Sequence, residues 1–410
     1  MALSITSAER AITDGHPCSK EYLERIMREY EKDETFTIKK MTSSKALNEG
    51  DNYIAEFFRV KIEAVITVDG TEKEIVKSVI VKKPYRDEKN VPPSIFKFES
   101  MVYNNVLNNI EKTFESKLPV IQSIRADEGI VVTEDFRDGG WMLSNRREGM
   151  NQQQTEQVMK ALAKFHAASI VLSVSQSDKF QELSQYVQDQ VYSKENEEVC
   201  KKTLADSYEI TRYFAEEYLP KANVEEATVI KKFMKYTSDE MYIHARKATN
   251  ETPHFAKVFV HGDCWANNIM LKEDGSGDHA LLINISTVCL TSPARDLVYV
   301  FATNSQQVNK TALIQVYVQE LHKHLIAHKI SEDVIKQFST EFIESEVKRL
   351  EIVALLTSMW LLVPISYTSF PTVEEYNKAE RKDKPKLVGK HIDKEFYTRR
   401  LVEVLLEYAK

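Results

Sequence analysis

Between Lys20 and Asp33 the apolar residues Tyr22, Leu23, Ile26, Met27 and Tyr30 recur at three- and four-residue steps. One face of a helix repeats at that interval, and Ser19 can cap it, so the spacing predicts a helix here. The character then changes. Thr35–Met41, Tyr53–Val68 and Glu74–Lys83 are rich in Val, Ile, Thr and Phe, with breakers at 48–52 and at Asp69-Gly70. This predicts three antiparallel strands. Pro92-Pro93 opens a predicted helix running to about Ile110, and Leu118–Ile124 and Gly129–Phe136 read as two further strands.

Beyond Asp138-Gly139-Gly140 the pattern is mostly helical. Asn151–Leu172 carries Val158, Leu162, Phe165 and Ile170, and long charged helices fill Glu195–Lys247. A β-type island follows at Lys257–Ser286, with Asp274–Gly277 as its turn, and helices resume from Pro293. The order predicts an α+β, two-lobed architecture: a small antiparallel-sheet lobe over residues 1–136 and a large, mostly helical lobe over 137–410. Domain interfaces of this kind favour ligands.

Composition narrows the function classes. The formal net charge is −7, and the basic pairs Lys82-Lys83, Arg146-Arg147 and Lys201-Lys202 are isolated. Nucleic-acid binders draw affinity from clustered cations, so no nucleic-acid partner is expected. The four cysteines, Cys18, Cys200, Cys264 and Cys289, show no C-x-x-C spacing, which fits a reduced, cytoplasmic chain. Met1–Asp14 has no apolar core of a signal peptide. The uncharged run from Ile352, interrupted by Pro364, reads as a buried core helix rather than a membrane span.

The chemistry concentrates in Val260-His261-Gly262-Asp263-Cys264-Trp265-Ala266-Asn267-Asn268-Ile269-Met270. Apolar runs flank it, giving strand, loop, strand with H-x-D-x-x-x-x-N in the loop. Phosphoryl transfer needs an acid that receives or orients the acceptor's proton, and an oxygen donor for Mg²⁺ a few residues on. Asp263 suits the first role and the side-chain carbonyl of Asn268 the second, with His261 bracing the loop. On the next strand, Ala280–Ile283, a second metal ligand is expected at the end, and Asn284 stands there. An amide can coordinate through oxygen but brings no negative charge. Asp296, just after Ser292-Pro293, is explained either by a helix N-terminus or as an acceptor for the backbone of the catalytic loop.

Read together, these residues resemble the ecdysteroid kinase-like family of insects, a choline-kinase-like group within the aminoglycoside phosphotransferase and choline kinase branch of the protein-kinase-like fold. The resemblance spans roughly Lys20 to Tyr408. Val260–Met270 is similar to its HGD-x-W-x-N-N-I-M signature, Ser292–Tyr299 to its S-P-A-x-D-L-x-Y segment, and Leu162–Ser169 to the helix after its hinge. It implies ATP and Mg²⁺ as cofactors. By the same resemblance Gly50 lies in the phosphate-side turn, Lys82 (or Lys83) is the phosphate lysine, and Glu99 is its ion-pair partner. Glu134, Asp135 and Phe136 are implied to form the adenine hinge. The family usually has an aspartate, often in I-D-F-Q, where this chain has Ile283-Asn284-Ile285-Ser286. Two functions follow. One is phosphotransfer from ATP to a hydroxyl of a small, steroid-like or otherwise lipophilic alcohol, weakened by Asn284. The other is a pseudokinase that binds a hydrophobic ligand, a nucleotide or a protein partner.

Overall fold

The computed structural model describes residues 19–46, 55–84, 93–127, 129–272 and 280–409. Gly50, Pro92 and the turn at 274–277 lie outside them. The chain divides into two compact units, Met1–Asn105 with Ile121–Trp141, and Val106–Val120 with Met142–Lys410.

The first unit is built on a five-stranded sheet. Its strands are β1 (Thr37–Lys45), β2 (Ala55–Val68), β3 (Thr71–Pro84), β4 (Ser123–Asp127) and β5 (Ile130–Glu134), in the order β1-β2-β3-β5-β4. Every pairing is antiparallel. Val68 pairs with Thr71, so Asp69-Gly70 alone makes the β2–β3 turn. Both turn residues have positive φ, 52° and 76°, the conformation that matches the twist of a two-residue hairpin. The helix Lys20–Glu31 presents Leu23, Ile26 and Met27 to this sheet, where Val60, Ile62, Val79 and Val132 complete a buried core. Pro93–Met101 is helical, continues through a π-helical stretch at Val102–Leu107, and ends with Asn108–Phe114.

The second unit is mostly helical. The helix Gln152–Ser175 begins with a capping box in which the side chains of Asn151 and Gln154 each bond the other's backbone amide. It is long and apolar enough to cross a bilayer, but 72% of its most apolar window is buried. That is the burial of a core helix, here packed on Lys310–Ala327. The expected charged helices of 195–247 form three pieces, Glu197–Tyr218, Val224–Phe233 and Ser238–Asn250, the last two each opened by a further capping box. Glu351–Ser366 is a buried helix with Pro364 inside it.

Within this unit the short strand β6 (Trp141–Leu143), at the boundary between the units, precedes the strands that carry the candidate loop. These are β7 (Val258–Val260), β8 (Ile269–Lys272), β9 (Leu281–Leu282) and β10 (Cys289–Thr291). β7 pairs with β10 and β8 with β9, all antiparallel. Val258, Phe259 and Val260 are fully buried, so β7 delivers the loop from inside the core.

Candidate functional site

His261 opens the loop with both ring nitrogens committed. Nε2–H donates to the Ile283 carbonyl at 2.8 Å, and Nδ1 accepts the Asp263 N–H at 3.2 Å. A neutral imidazole has one donor and one acceptor, so this one has no lone pair left for proton transfer. Gly262 follows at φ 82°, and a Cβ built there would stand 2.4 Å from the Thr287 carbonyl oxygen. Only glycine fits so close an approach. The Thr287 hydroxyl donates to the His261 carbonyl at 3.0 Å, which ties the loop to the chain after Asn284.

Asp296 holds the same turn from the helix Ala294–Thr303. Its Oδ2 accepts the His261 N–H at 2.7 Å and its Oδ1 the Gly262 N–H at 2.8 Å. His166 Nε2 reaches the same Oδ2 at 3.1 Å, while its Nδ1 meets the Tyr317 hydroxyl at 2.9 Å. Asp296 and His166 are fully buried. Burial alone would raise the Asp296 carboxyl, but the hydrogen bond and charge of His166, with the Gly262 amide, hold it below the ordinary carboxylate value.

Asp263 is half-buried, and each of its oxygens has a partner. Oδ1 accepts the Tyr299 hydroxyl at 2.5 Å and Oδ2 accepts Asn268 Nδ2 at 2.6 Å. Burial pushes the Asp263 carboxyl up, against the lowering effect of those two bonds. Burial and the Asp263 charge push the Tyr299 phenol well up, so it remains a donor. Asn268 Nδ2 also donates to the Asp263 carbonyl at 2.9 Å, which turns its Oδ1 the other way. There Asn284 Nδ2 stands 3.4 Å from Asn268 Oδ1, and Asn284 Oδ1 accepts the Ser286 hydroxyl at 3.1 Å. Asn284 is left-handed, φ 62°, a region that Asn and Asp enter more readily than other side chains.

In the first unit Lys82 Nζ lies 2.7 Å from Glu99 Oε2, and Glu99 is 2% exposed. Lys83, one step along β3 and so on the other face, pairs with Glu56 at 3.2 Å. At the hinge, the Asp135 N–H donates to the Ser78 carbonyl at 2.9 Å, so that amide is not a donor for adenine. The Asp135 carboxylate takes Arg59 and Ser78, and that of Glu134 takes the Tyr30 hydroxyl at 3.3 Å. Both side chains therefore serve the first unit internally. Gly50 lies outside the described residues.

Lys82 with Glu99 thus form one cluster, and His261, Asp263, Asn268, Asn284 and Asp296 another. The sequence reading did not single out Tyr299, His166 or Thr287. Tyr299 lies one turn beyond Asp296 on the same helix, and its signals were that i, i+3 spacing and its place at the end of the S-P-A-x-D-L-x-Y segment. His166 reaches the loop from a helix about a hundred residues away, and the resemblance of Leu162–Ser169 was its only signal.

The donor set bears on Mg²⁺. The oxygens at Asn268 and Asn284 are neutral, and both oxygens of Asp263 carry hydrogen bonds. Among the described residues no three His, Cys, Asp or Glu side chains could together hold a metal ion. Protein sites for Mg²⁺ lean on one or two carboxylates, and these residues do not make one.

A sheet unit, a helical unit and an H-x-D-x-x-x-x-N loop pinned by a buried aspartate define a kinase-like chain. It belongs to the ecdysteroid kinase-like family, whose model matches residues 49–330, more than half of its length. No curated protein matches it. Solved structures similar to it include an ethanolamine kinase of Plasmodium vivax, at 11% identity and a TM-score of 0.44, covering 90% of this chain and 86% of that one. A choline kinase of Streptococcus pneumoniae matches at 12% identity and a TM-score of 0.32, covering 94% and 100%. A macrolide 2'-phosphotransferase of Brachybacterium faecium matches at 8% identity and a TM-score of 0.36, covering 82% and 97%. Likenesses this distant carry no statement about substrate.

Proposed function

We propose that this chain transfers the γ-phosphoryl group of ATP to a hydroxyl of a small lipophilic, steroid-like alcohol, at a rate held down by Asn284. The observation that carries the reading is Asp263, fixed at a loop whose backbone is bound by Asp296 and whose carboxyl is raised by burial. An oxygen base held at one position and made more basic is what an acceptor hydroxyl needs. The acceptor oxygen bonds to the γ-phosphorus, its proton passes to Asp263, and ADP departs with the electron pair of the broken bond. Lys82, steadied by Glu99, neutralises phosphate charge, and backbone groups near Phe136 hold adenine. Mg²⁺ would enter as the nucleotide's own counter-ion, and no protein carboxylate is assigned to it.

The Asn268–Asn284 amide pair favours a second reading, binding of nucleotide or lipid without turnover. The test is nucleotide binding followed by phosphorylation of a panel of hydroxylated lipids, with Asp263→Asn as control. Phosphorylated product that disappears in Asp263→Asn supports transfer. Tight nucleotide or lipid binding with no product in either protein supports the second reading.

A further inference from the structure

The bond between Tyr299 and Asp263 has a consequence for water. The helix Ala294–Thr303 turns two side chains onto one loop: Asp296 takes the backbone of His261 and Gly262, and Tyr299 takes the side chain of Asp263. The phenol donates its proton to Oδ1 at 2.5 Å while Asn268 covers Oδ2 at 2.6 Å. A hydroxyl donating to a carboxylate oxygen is the contact an alcohol acceptor must make with its base. Tyr299 is half-buried.

We propose that Tyr299 is a positioning residue that stands in for the acceptor hydroxyl on Asp263, keeping water off the base until an acceptor displaces it. The proposal rests on the reading of Asp263 as the base. A half-buried carboxylate without this partner would recruit a water molecule, since an unmade bond to a charged group is costly. That water would sit where the acceptor oxygen belongs. Hydrolysis would follow: the water oxygen bonds to the γ-phosphorus, its proton goes to Asp263 Oδ1, the bond to ADP breaks, and inorganic phosphate leaves. Asn268 cannot perform this screening, because its amide donates to the other oxygen and to the Asp263 carbonyl.

The test needs no acceptor. ATP hydrolysis is measured in the intact chain for the parent, Tyr299→Phe and Tyr299→Phe with Asp263→Asn. Calorimetric titration of ATP runs alongside. Phenylalanine keeps the ring and removes only the hydroxyl, and urea unfolding checks that it folds. Expected is hydrolysis about tenfold or more above the parent in Tyr299→Phe, within the range general base catalysis supplies, and loss of that gain in the double variant. A merely structural tyrosine would give equal or slower hydrolysis on removal. Tyr299→Phe no faster than the parent overturns the guard, whether or not ATP binds. A gain that survives Asp263→Asn overturns it too, because the screening would not act through the base. Absence of ATP binding in all three proteins sinks the phosphotransferase reading itself, which the titration reports separately.

Discussion

The side chains of Lys82 and Glu99 are 10% and 2% exposed and 2.7 Å apart. Two charges so far from water sustain each other, and removing one leaves the other uncompensated. Lys82→Met is expected to destabilise by about 3–5 kcal/mol, whereas Lys82→Met with Glu99→Met costs less than the single change. Urea unfolding of the three proteins checks the order, and a double variant weaker than Lys82→Met rejects it. Gly262→Ala makes a second case at this scale. Its methyl would sit 2.4 Å from a carbonyl oxygen at a φ of 82°. A loss of about 1–3 kcal/mol is expected, because the backbone must leave a strained region or move Thr287. An unfolding midpoint equal to the parent's shows that the loop yields freely. The residue types at Asp263 and Asn268 were legible in sequence because one short motif fixes their spacing, and Asn284 because it ends the next apolar run. Their hydrogen-bond partners were not. The second bond of Asp263 comes from Tyr299, 36 positions on, and only packing brings it there.

Elements were legible wherever a period and a stop signal coincided. The Asp69-Gly70 hairpin and the helix capped by Ser19 carry both, and they appear where the pattern places them. Leu118–Ile124 read as a strand, but the ladder runs over Ser123–Asp127, and before it Val120 makes only an isolated parallel bridge to Leu282. The π-helical stretch Val102–Leu107 left no trace, because an added residue in a turn hardly changes the period. The helix Ala294–Thr303 supports a prediction. Asp296 there is held below its ordinary value of 3.8. A carboxylate depressed in the fold contributes stability above its unfolded value, and that contribution is lost as pH falls through the folded one. Asp296→Asn should therefore cost about 1–3 kcal/mol at neutral pH. The gap from the parent should shrink below about pH 4. Urea midpoints of both proteins at neutral pH and in acid decide it. A gap constant with pH shows that the charge of Asp296 is not what binds the loop.

For the molecule as a whole, the question left by the sequence is whether Asn284 changes what stabilises the fold. Asn268 Oδ1 faces Asn284 Nδ2 across 3.4 Å, so an amide proton lies where an aspartate at 284 would place an oxygen. Asn284→Asp keeps the backbone, since φ 62° suits both residues. It also sets two oxygens against each other with no proton between them. Adjacent oxygens on octahedral Mg²⁺, each about 2.1 Å from the ion, are about 3.0 Å apart, so a slight closure of the present gap would accept the ion. The parent is then expected to melt at the same temperature in chelator and in Mg²⁺ alone. Asn284→Asp should melt lower than the parent in chelator and recover with added Mg²⁺, by about 2.7 kcal/mol at a hundredfold excess over its dissociation constant. Thermal unfolding of the two proteins, with no nucleotide and no acceptor present, measures this without reference to activity. A parent that gains as much from Mg²⁺ as the variant shows that two asparagines already hold the ion, and the weakening assigned to Asn284 falls. A variant that melts with the parent in chelator shows that the amide pair carries no weight in the loop. Recovery confined to the variant means that this chain exchanged a cation for an amide proton, and that its loop keeps its shape without metal.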